Sequence, residues 1–499
     1  MELLFPKETI SYLRQVKHEI QNLEETQELR MPDEYPDIRK ILGSWGQVLI
    51  RGKEWHDGSM AVTGGVMVWI LYQPECEEAN LQTVEAWIPF QMKWELEHTQ
   101  RDGMIRVVPL LRSIDARTTS ARKMVARVTV SVMGEALVRE EKQYCTPPVL
   151  PEDINLLKEV YPVLLPREAG EKTFDMEEEL TLPGSCPKLK RIVRFSLQPE
   201  LIDQKVMSGK LVFRGVAVVH LLYMSEDDQL CTWDFEVPFS RYADLEDVYE
   251  QDARSGIVIA VSSLELQESD DGNLSLKAGL IGQYIVYDRS MVQLGRDAYS
   301  VYRTVEKKLE SLTLPAVLQM ETAPVSAELS MPLNDERIVD LAFYPDQPKV
   351  QRKGDIVNVQ LSGVYHILTE SNQNYSGTTH RWNGQWQFHG DTCVDTTLVV
   401  IPSGLAQKDS AGGKGALRAD LQLSMVSSAT QGIPTIAELQ TGEVGSLDPS
   451  RPSLILRHAG KETLWEIAKS CGSTVEAIKE ANQLEDDPGQ ELLLLIPVV

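Results

Sequence analysis

A mainly β fold is predicted, with three tandem β-sandwich-like repeats followed by a small C-terminal α+β domain of order strand–helix–helix–strand. Two observations predict it. A five-residue signature returns roughly every 150 residues. Beyond residue 454 the chain changes from strand-like runs to helix caps and helical spacing.

The signature is Glu28-Leu29-Arg30-Met31-Pro32, which returns as Glu179-Leu180-Thr181-Leu182-Pro183 and as Glu328-Leu329-Ser330-Met331-Pro332. Later landmarks keep the same register. Gly64, Leu71 and Tyr72 match Gly215, Leu222 and Tyr223, and Pro89-Phe90 matches Pro238-Phe239. In the third unit Gly363 supplies the glycine, but the Tyr and Pro-Phe landmarks are missing, so that copy has diverged. Val125–Val128, Leu276–Gly279 and Leu417–Asp420 read as one recurring strand near each unit's end. The repeats are placed at 28–145, 179–310 and 328–440, with linkers at 146–178, 311–327 and 441–453.

Segments inside the units are short and rich in Val, Ile, Leu and aromatics, bounded by Gly, Asp, Asn and Ser. Val66 to Tyr72 is apolar on both parities, as a strand covered on both faces must be. Val128 to Val132 alternates instead. Glycines inside strands signal a bulge or a close backbone approach. Ahead of the first repeat, residues 1–27 read as an amphipathic helix. Leu13, Val16, Ile20 and Leu23 fall at helical spacing, in a stripe that either packs on the first repeat or docks a partner.

The last domain spans 454–499. A strand at Leu454–Arg457 precedes Thr463-Leu464-Trp465-Glu466, where Thr and Glu have capping-box spacing. Leu464, Ile467, Ala468 and Cys471 line one helical face, and Gly472 closes that helix. A second box is read at Ser473-Thr474-Val475-Glu476, opening a helix that ends at Asn482-Gln483-Leu484. Pro488-Gly489-Gln490 then turns into a strand at Leu492–Ile496.

Composition limits the function. Hydrophobic residues make up 42% and charged residues 25%, the balance of an ordinary globular chain. A net charge of −25 argues against a nucleic-acid partner, because phosphate neutralisation needs a basic face. The basic run Lys188-Leu189-Lys190-Arg191 reads as a solvated turn. No apolar stretch approaches the roughly 18 residues of a membrane span, and the N-terminus lacks a secretion signal, so an intracellular protein is expected. The six cysteines are scattered and read as free thiols.

No catalytic residue is assigned. Ala411-Gly412-Gly413-Lys414-Gly415 lacks the leading Gly and following Ser or Thr of a phosphate loop and reads as a turn. His380 and His389 have no third ligand at zinc spacing. His220 sits in an apolar strand as a hydrogen-bonded core residue, and Asp227-Asp228 and Asp270-Asp271 read as turn residues. No metal or cofactor is expected.

The sequence Thr463-Leu464-Trp465-x-Ile467-Ala468, Thr474-Val475-x-x-Ile478, Asn482-x-Leu484 and Pro488-Gly489-Gln490 resembles the LysM module. That resemblance implies a shallow groove for N-acetylglucosamine polymers between the two strand–helix loops, here Gly460, Glu462, Thr463, Asn482, Gln483 and Leu484. The family's usual Gly-Asp before Thr-Leu is Lys461-Glu462 here, and the loop after Asn482 is short. Trp465 is either core or part of a partner-binding surface. Pro32-Asp33-Glu34-Tyr35-Pro36-Asp37-Ile38 before a β-rich unit resembles the SPOCS repeat. Several such repeats before a C-terminal LysM are similar to spore-coat morphogenetic proteins of the SipL-like kind. The resemblance implies a non-catalytic scaffold of the mother-cell cytoplasm at the forespore surface. Its LysM would contact the coat's basement-layer ATPase or other coat proteins. Binding to peptidoglycan is the competing expectation.

Overall fold

A computed structural model describes residues 2–75, 80–96, 102–269, 273–333, 336–354, 356–372, 374–389, 395–411, 414–445, 451–484 and 492–499. Strand accounts for 78% and helix for 3%, so the fold is mainly β. Cys76, Cys393, Asp270-Asp271, Gly412-Gly413 and Pro488-Gly489-Gln490 lie outside the described residues.

A short strand β1 (Glu2–Leu4) precedes the first repeat. That repeat comprises β2 (Lys7–Arg30), β3 (Ile38–His56), β4 (Ser59–Pro74), β5 (Gln82–Glu95), β6 (Met104–Ser120) and β7 (Lys123–Cys145). It folds as two three-stranded sheets, β3-β4-β5 and β2-β7-β6. Between them lies a core that includes Met60, Tyr72, Trp94, Val128 and Val130. The second repeat repeats this plan. Its strands are β8 (Ile154–Leu180), β9 (Leu189–Met207), β10 (Lys210–Ser225), β11 (Leu230–Asp244), β12 (Arg254–Glu268) and β13 (Leu274–Ser300). They form sheets β9-β10-β11 and β8-β13-β12. The third has β14 (Val305–Pro332), β15 (Arg337–Pro345), β16 (Lys349–Lys353), β17 (Ile356–Ser371), β18 (Asn374–His389), β19 (Asp395–Ala411) and β20 (Lys414–Thr441). There the strand preceding the central β17 is split into β15 and β16, and β14-β20 pairs with β19. In every repeat the first strand pairs antiparallel with the last.

This plan corrects the reading of residues 1–27 as a helix and of 146–178 and 311–327 as linkers. Residues 7–30 are one strand, and β8 and β14 occupy most of the other two segments. The cause is that these strands work on two faces. Ile10 and Tyr12 enter one core, Leu23 and Leu29 pack on another, and Ile20 faces a third, with a bulge between Gln15 and Lys17 changing parity. Apolar residues on both parities imitate helical spacing. Glu, Lys and Gln favour helix intrinsically, but the cross-strand packing of β7 overrides that preference. Pro162 and Pro166 in β8, and Pro315 and Pro324 in β14, sit on edge strands, where a missing N–H costs no ladder bond.

The sequence landmarks resolve into contacts. The Tyr72 hydroxyl donates to Pro36 O at 3.2 Å and the Tyr223 hydroxyl to Pro187 O at 2.9 Å, tethering the turn that opens each repeat. Repeat three has Ser371 at the matching register and lacks that turn's second proline, so it lost both halves of one contact. A Cβ on Gly64 would lie 2.9 Å from the Phe90 ring, and one on Gly215 2.6 Å from Phe239. At Gly363 the intruding ring is Phe343, 2.3 Å away and supplied by β15. The glycine therefore persists although the Pro-Phe landmark has gone.

The three sandwiches close into a ring. The central strand β4 carries Val66, Val68 and Ile70 into its own repeat's core, while Trp69 on its other face packs on the second repeat's core and Phe195. Glutamines reach from each repeat to the backbone of the next. Gln47 Oε1 accepts from Leu197 N, Gln198 Nε2 donates to Pro402 O, and Gln347 Nε2 donates to Val108 O. Below the ring the long strand pairs converge into a stem, cored by Ile10, Tyr12, Leu165, Leu294 and Leu314. β1 pairs with β20 and fastens the chain's start to the third repeat.

Candidate partner-binding site

The C-terminal domain has β21 (Leu454–His458), α1 (Leu464–Cys471), α2 (Val475–Asn482) and β22 (Leu493–Pro497), with β21 and β22 antiparallel. Leu464, Ile467, Ala468, Ile478, Leu494 and Ile496 are buried in its core. At the start of α1, Thr463 Oγ1 accepts from Glu466 N, and the Glu466 carboxylate accepts from Thr463 N at 2.9 Å, completing the capping box. Gly472, at φ 69°, ends the helix. The second cap sits one residue later than the spacing predicts. Thr474 is the N-cap of α2 and accepts from Ala477 N, whereas Ser473 is fully buried.

The residues predicted for a groove divide into distinct roles. Gly460, Glu462 and Thr463 stand exposed on the loop between β21 and α1, and Glu462 pairs with Arg457 at 2.6 Å. This loop meets the one before β22, where Ala459 N donates to Leu492 O. Asn482 is a clamp. Its amide nitrogen donates to Ile478 O and Leu495 O, and its oxygen accepts from Leu495 N at 2.8 Å. Gln483 adopts φ 53° as the C-cap of α2, and Leu484 packs partly on the core. Residues 485–491 lie outside the described residues.

Trp465 faces the stem instead. Its indole Nε1–H donates to Asp297 Oδ2 of β13 at 2.8 Å, and its ring meets Tyr299 edge-on at 4.8 Å. Lys469 reaches the same carboxylate at 2.8 Å, and the Tyr299 hydroxyl donates to Ser473 O. Burial alone would raise the Asp297 pKa, but Lys307, Lys469 and Trp465 outweigh it and hold it at about 2. Asp297, Tyr299 and Lys469 carried no signal in the sequence, because docking joins residues far apart along the chain.

One face of the β21–β22 sheet is uncovered and apolar. Leu454 is 48% exposed, Leu456 63%, Leu493 52% and Leu495 37%, and Leu456 sits directly opposite Leu495. Adjacent exposed leucines on a two-stranded sheet form the kind of patch that marks a contact surface. The leucine alternation was readable in advance, since Ile455 and Leu494 point inward between them.

Residues weighed for chemistry take structural roles. His220 is buried, with Nδ1 bonded to Asp234 and Nε2 to Asp340 at 2.7 Å. Asp228 occupies a left-handed turn at φ 58° and accepts from Lys190 Nζ and Asn80 Nδ2. No helix among the described residues is long and apolar enough to cross a membrane.

Comparison with known families gives two matches. Residues 188–266 match the family model described as SipL, SPOCS domain, and residues 461–494 match the LysM domain. The first match runs from the start of β9 into β12, within the second repeat. No curated protein and no solved structure matches the chain. The chain therefore carries a SPOCS domain and a C-terminal LysM domain, both non-catalytic binding domains, and the pairing fits a sporulation protein.

Proposed function

We propose that this chain, joining a SPOCS domain to a LysM domain, is a non-catalytic scaffold of spore-coat assembly whose LysM domain binds a coat morphogenetic protein. The observation that carries the reading is the way the LysM domain is mounted. Trp465, Lys469 and Ser473 fasten one side of it to the stem, while Leu454, Leu456, Leu493 and Leu495 remain open on another. A protein surface buries such leucines favourably, at about 25 cal/mol per Å². The partner named by the SPOCS resemblance is the coat's basement-layer ATPase. The place of action is the mother-cell cytoplasm at the forespore surface.

A second reading, peptidoglycan binding, rests on the LysM match and on the exposed lip of Gly460, Glu462 and Thr463. Co-elution of the full chain with the purified ATPase, beside sedimentation with purified peptidoglycan, separates the two. The scaffold reading expects a complex that Leu456→Glu with Leu495→Glu abolishes, with the protein still folded by circular dichroism. Retention on peptidoglycan without an ATPase complex overturns it.

A further inference from the structure

The junction between repeats 1 and 2 and the junction between repeats 2 and 3 use equivalent strands but are filled differently. At the first, Lys53 spans the gap. Its ammonium donates to Ile105 O at 2.9 Å within its own repeat and to Gln283 Oε1 at 2.9 Å in the next, and it also pairs with Glu171 there. In strand register, Lys53 corresponds to Gln204, because Lys53 lies opposite Val62 and Gln204 opposite Phe213, each two residues before its repeat's strand glycine. Glu171 lies opposite Gln283, as Thr322 lies opposite Ser424 in the third repeat. At the second junction, then, the Lys–Glu–Gln set is replaced by Gln204, Thr322 and Ser424, which are shorter or uncharged.

Gln204 keeps the bond within its own repeat, donating from Nε2 to Ser255 O at 3.1 Å. Its Oε1 is buried and has no hydrogen-bond partner among the described residues. Where Lys53 would reach across, there is instead a cleft of about 420 Å³. A buried carbonyl without a donor costs about 1–3 kcal/mol unless something supplies one.

The cleft's lining indicates what enters it. Gln422, Ser424, Thr322 and Thr397 add hydroxyl and amide groups on the third repeat's side. Arg106 also lines it, but that guanidinium is neutralised by Glu135 at 2.6 Å. Lys205 and Arg254 are exposed lining residues with no ion pair among the described residues, against one exposed carboxylate, Glu321. On a chain of net charge −25, this is a local cationic entrance to a cleft whose hydroxyl and amide groups alternate with apolar residues such as Ile257, Met320 and Val399. Clefts of this size are typical of small-molecule sites.

From this we propose that the cleft between repeats 2 and 3 binds a small hydroxylated anion of the size and polarity of a sugar phosphate or sugar acid. Lys205 and Arg254 take the anionic group, and the ligand's hydroxyls meet the Gln422, Ser424 and Thr397 side chains on the third repeat's side. The site is separate from the LysM domain and does not depend on the scaffold reading.

Calorimetric titration of the full chain with glucose 6-phosphate, with gluconate and with glucose tests it. At least one of the two anions is expected to bind with a Kd of about 1 mM or tighter, and glucose at least tenfold more weakly. Which anion binds separates a phosphate from a carboxylate ligand. Lys205→Ala with Arg254→Ala, both exposed, should weaken the anion at least tenfold. Gln204→Lys, Thr322→Glu and Ser424→Gln together copy the filled junction and should abolish binding. If that triple variant does not fold, the exposed double variant decides alone. Failure of both anions to bind, glucose binding as tightly as they do, or binding undiminished in a folded variant overturns the proposal.

Discussion

Both junctions carry charged contacts, but the most deeply buried polar group differs: between repeats 1 and 2 it is an amide, Gln283, and between repeats 2 and 3 a carboxylate, Asp340. In the first, Gln283 copies a strand. Its Oε1 accepts from Val107 N and its Nε2 donates to Val107 O, so a side chain completes a backbone ladder. In the second, Arg194 grips Asp340 with two bonds of 2.9 Å, and His220 donates to the same carboxylate. Asp340 is fully buried and Arg194 nearly so, with the guanidinium lying 5.1 Å from the Trp45 ring of the first repeat. The difference teaches what each contact tolerates. An amide can lose its partner and leave two neutral groups unpaired. A buried ion that loses its partner is left as an uncompensated charge.

Breaking the ionic junction should have the largest effect. Asp340→Ala strands Arg194 and the imidazolium of His220, and it should cost about 3–5 kcal/mol in chemical denaturation. Gln283→Ala leaves Val107 N and O unpaired and removes one of the partners of Lys53, at a smaller cost of about 1–3 kcal/mol. Equal losses from the two variants would erase the distinction between the junctions.

Two histidines sharpen the same comparison through pH. Both His220 nitrogens face carboxylates, so only the imidazolium satisfies both. Burial and Arg194 oppose that charge, but Asp340 and Asp234 prevail and raise its pKa. His366 donates from Nδ1 to Ser44 O, and burial, reinforced by Arg194, lowers its pKa to about 4. The signs are opposite. The contribution of His220 is full below its unfolded pKa of about 6.5 and fades as pH rises through the folded value. The contribution of His366 is full above about 6.5 and fades as pH falls towards 4. His220→Gln should flatten the alkaline limb of a stability–pH profile, and His366→Gln the acid limb. An unchanged profile in either variant would remove that histidine from the account.

What could be read in advance followed contact range. The repeat was legible because each landmark is one half of a short contact, as Tyr72 is to Pro36, and the domain caps were legible because Thr463 meets Glu466 within one turn. The strands β2, β8 and β14 were not, since a strand serving two cores loses its alternation. The ionic junction was also hidden. Asp340 meets Arg194 across 146 residues, and nothing local to Ile338-Val339-Asp340-Leu341 announces a buried acid. Of the groove residues, Asn482 was marked by its position, but its work is to clamp β22. Trp465 stood in the right motif, while its partner Asp297 lies 168 residues earlier.

The smallest expected effect concerns that last pair, which is only partly buried where Asp340 is sealed. Asp297→Asn removes the charge that Lys307, Lys469 and the Trp465 indole all address, while preserving shape. The lysine pairs contribute at most about 1 kcal/mol each, and because an Asn oxygen still accepts the indole N–H, that bond only falls from charge-assisted to neutral, a further loss of about 1 kcal/mol. Because the folded pKa of Asp297 is depressed to about 2, its contribution is present above the ordinary carboxylate range of about 4 and disappears as pH falls through 2. Hydrogen exchange at neutral pH should show faster opening of α1 and α2 in the variant, with the central strands β4 and β10 unchanged. Equal acceleration in β4 and β10 would mean that Asp297 supports the whole ring and that the LysM domain has no separate attachment. Acceleration confined to the helices would show that the stem holds this domain by a few polar contacts that can be released without disturbing the repeats.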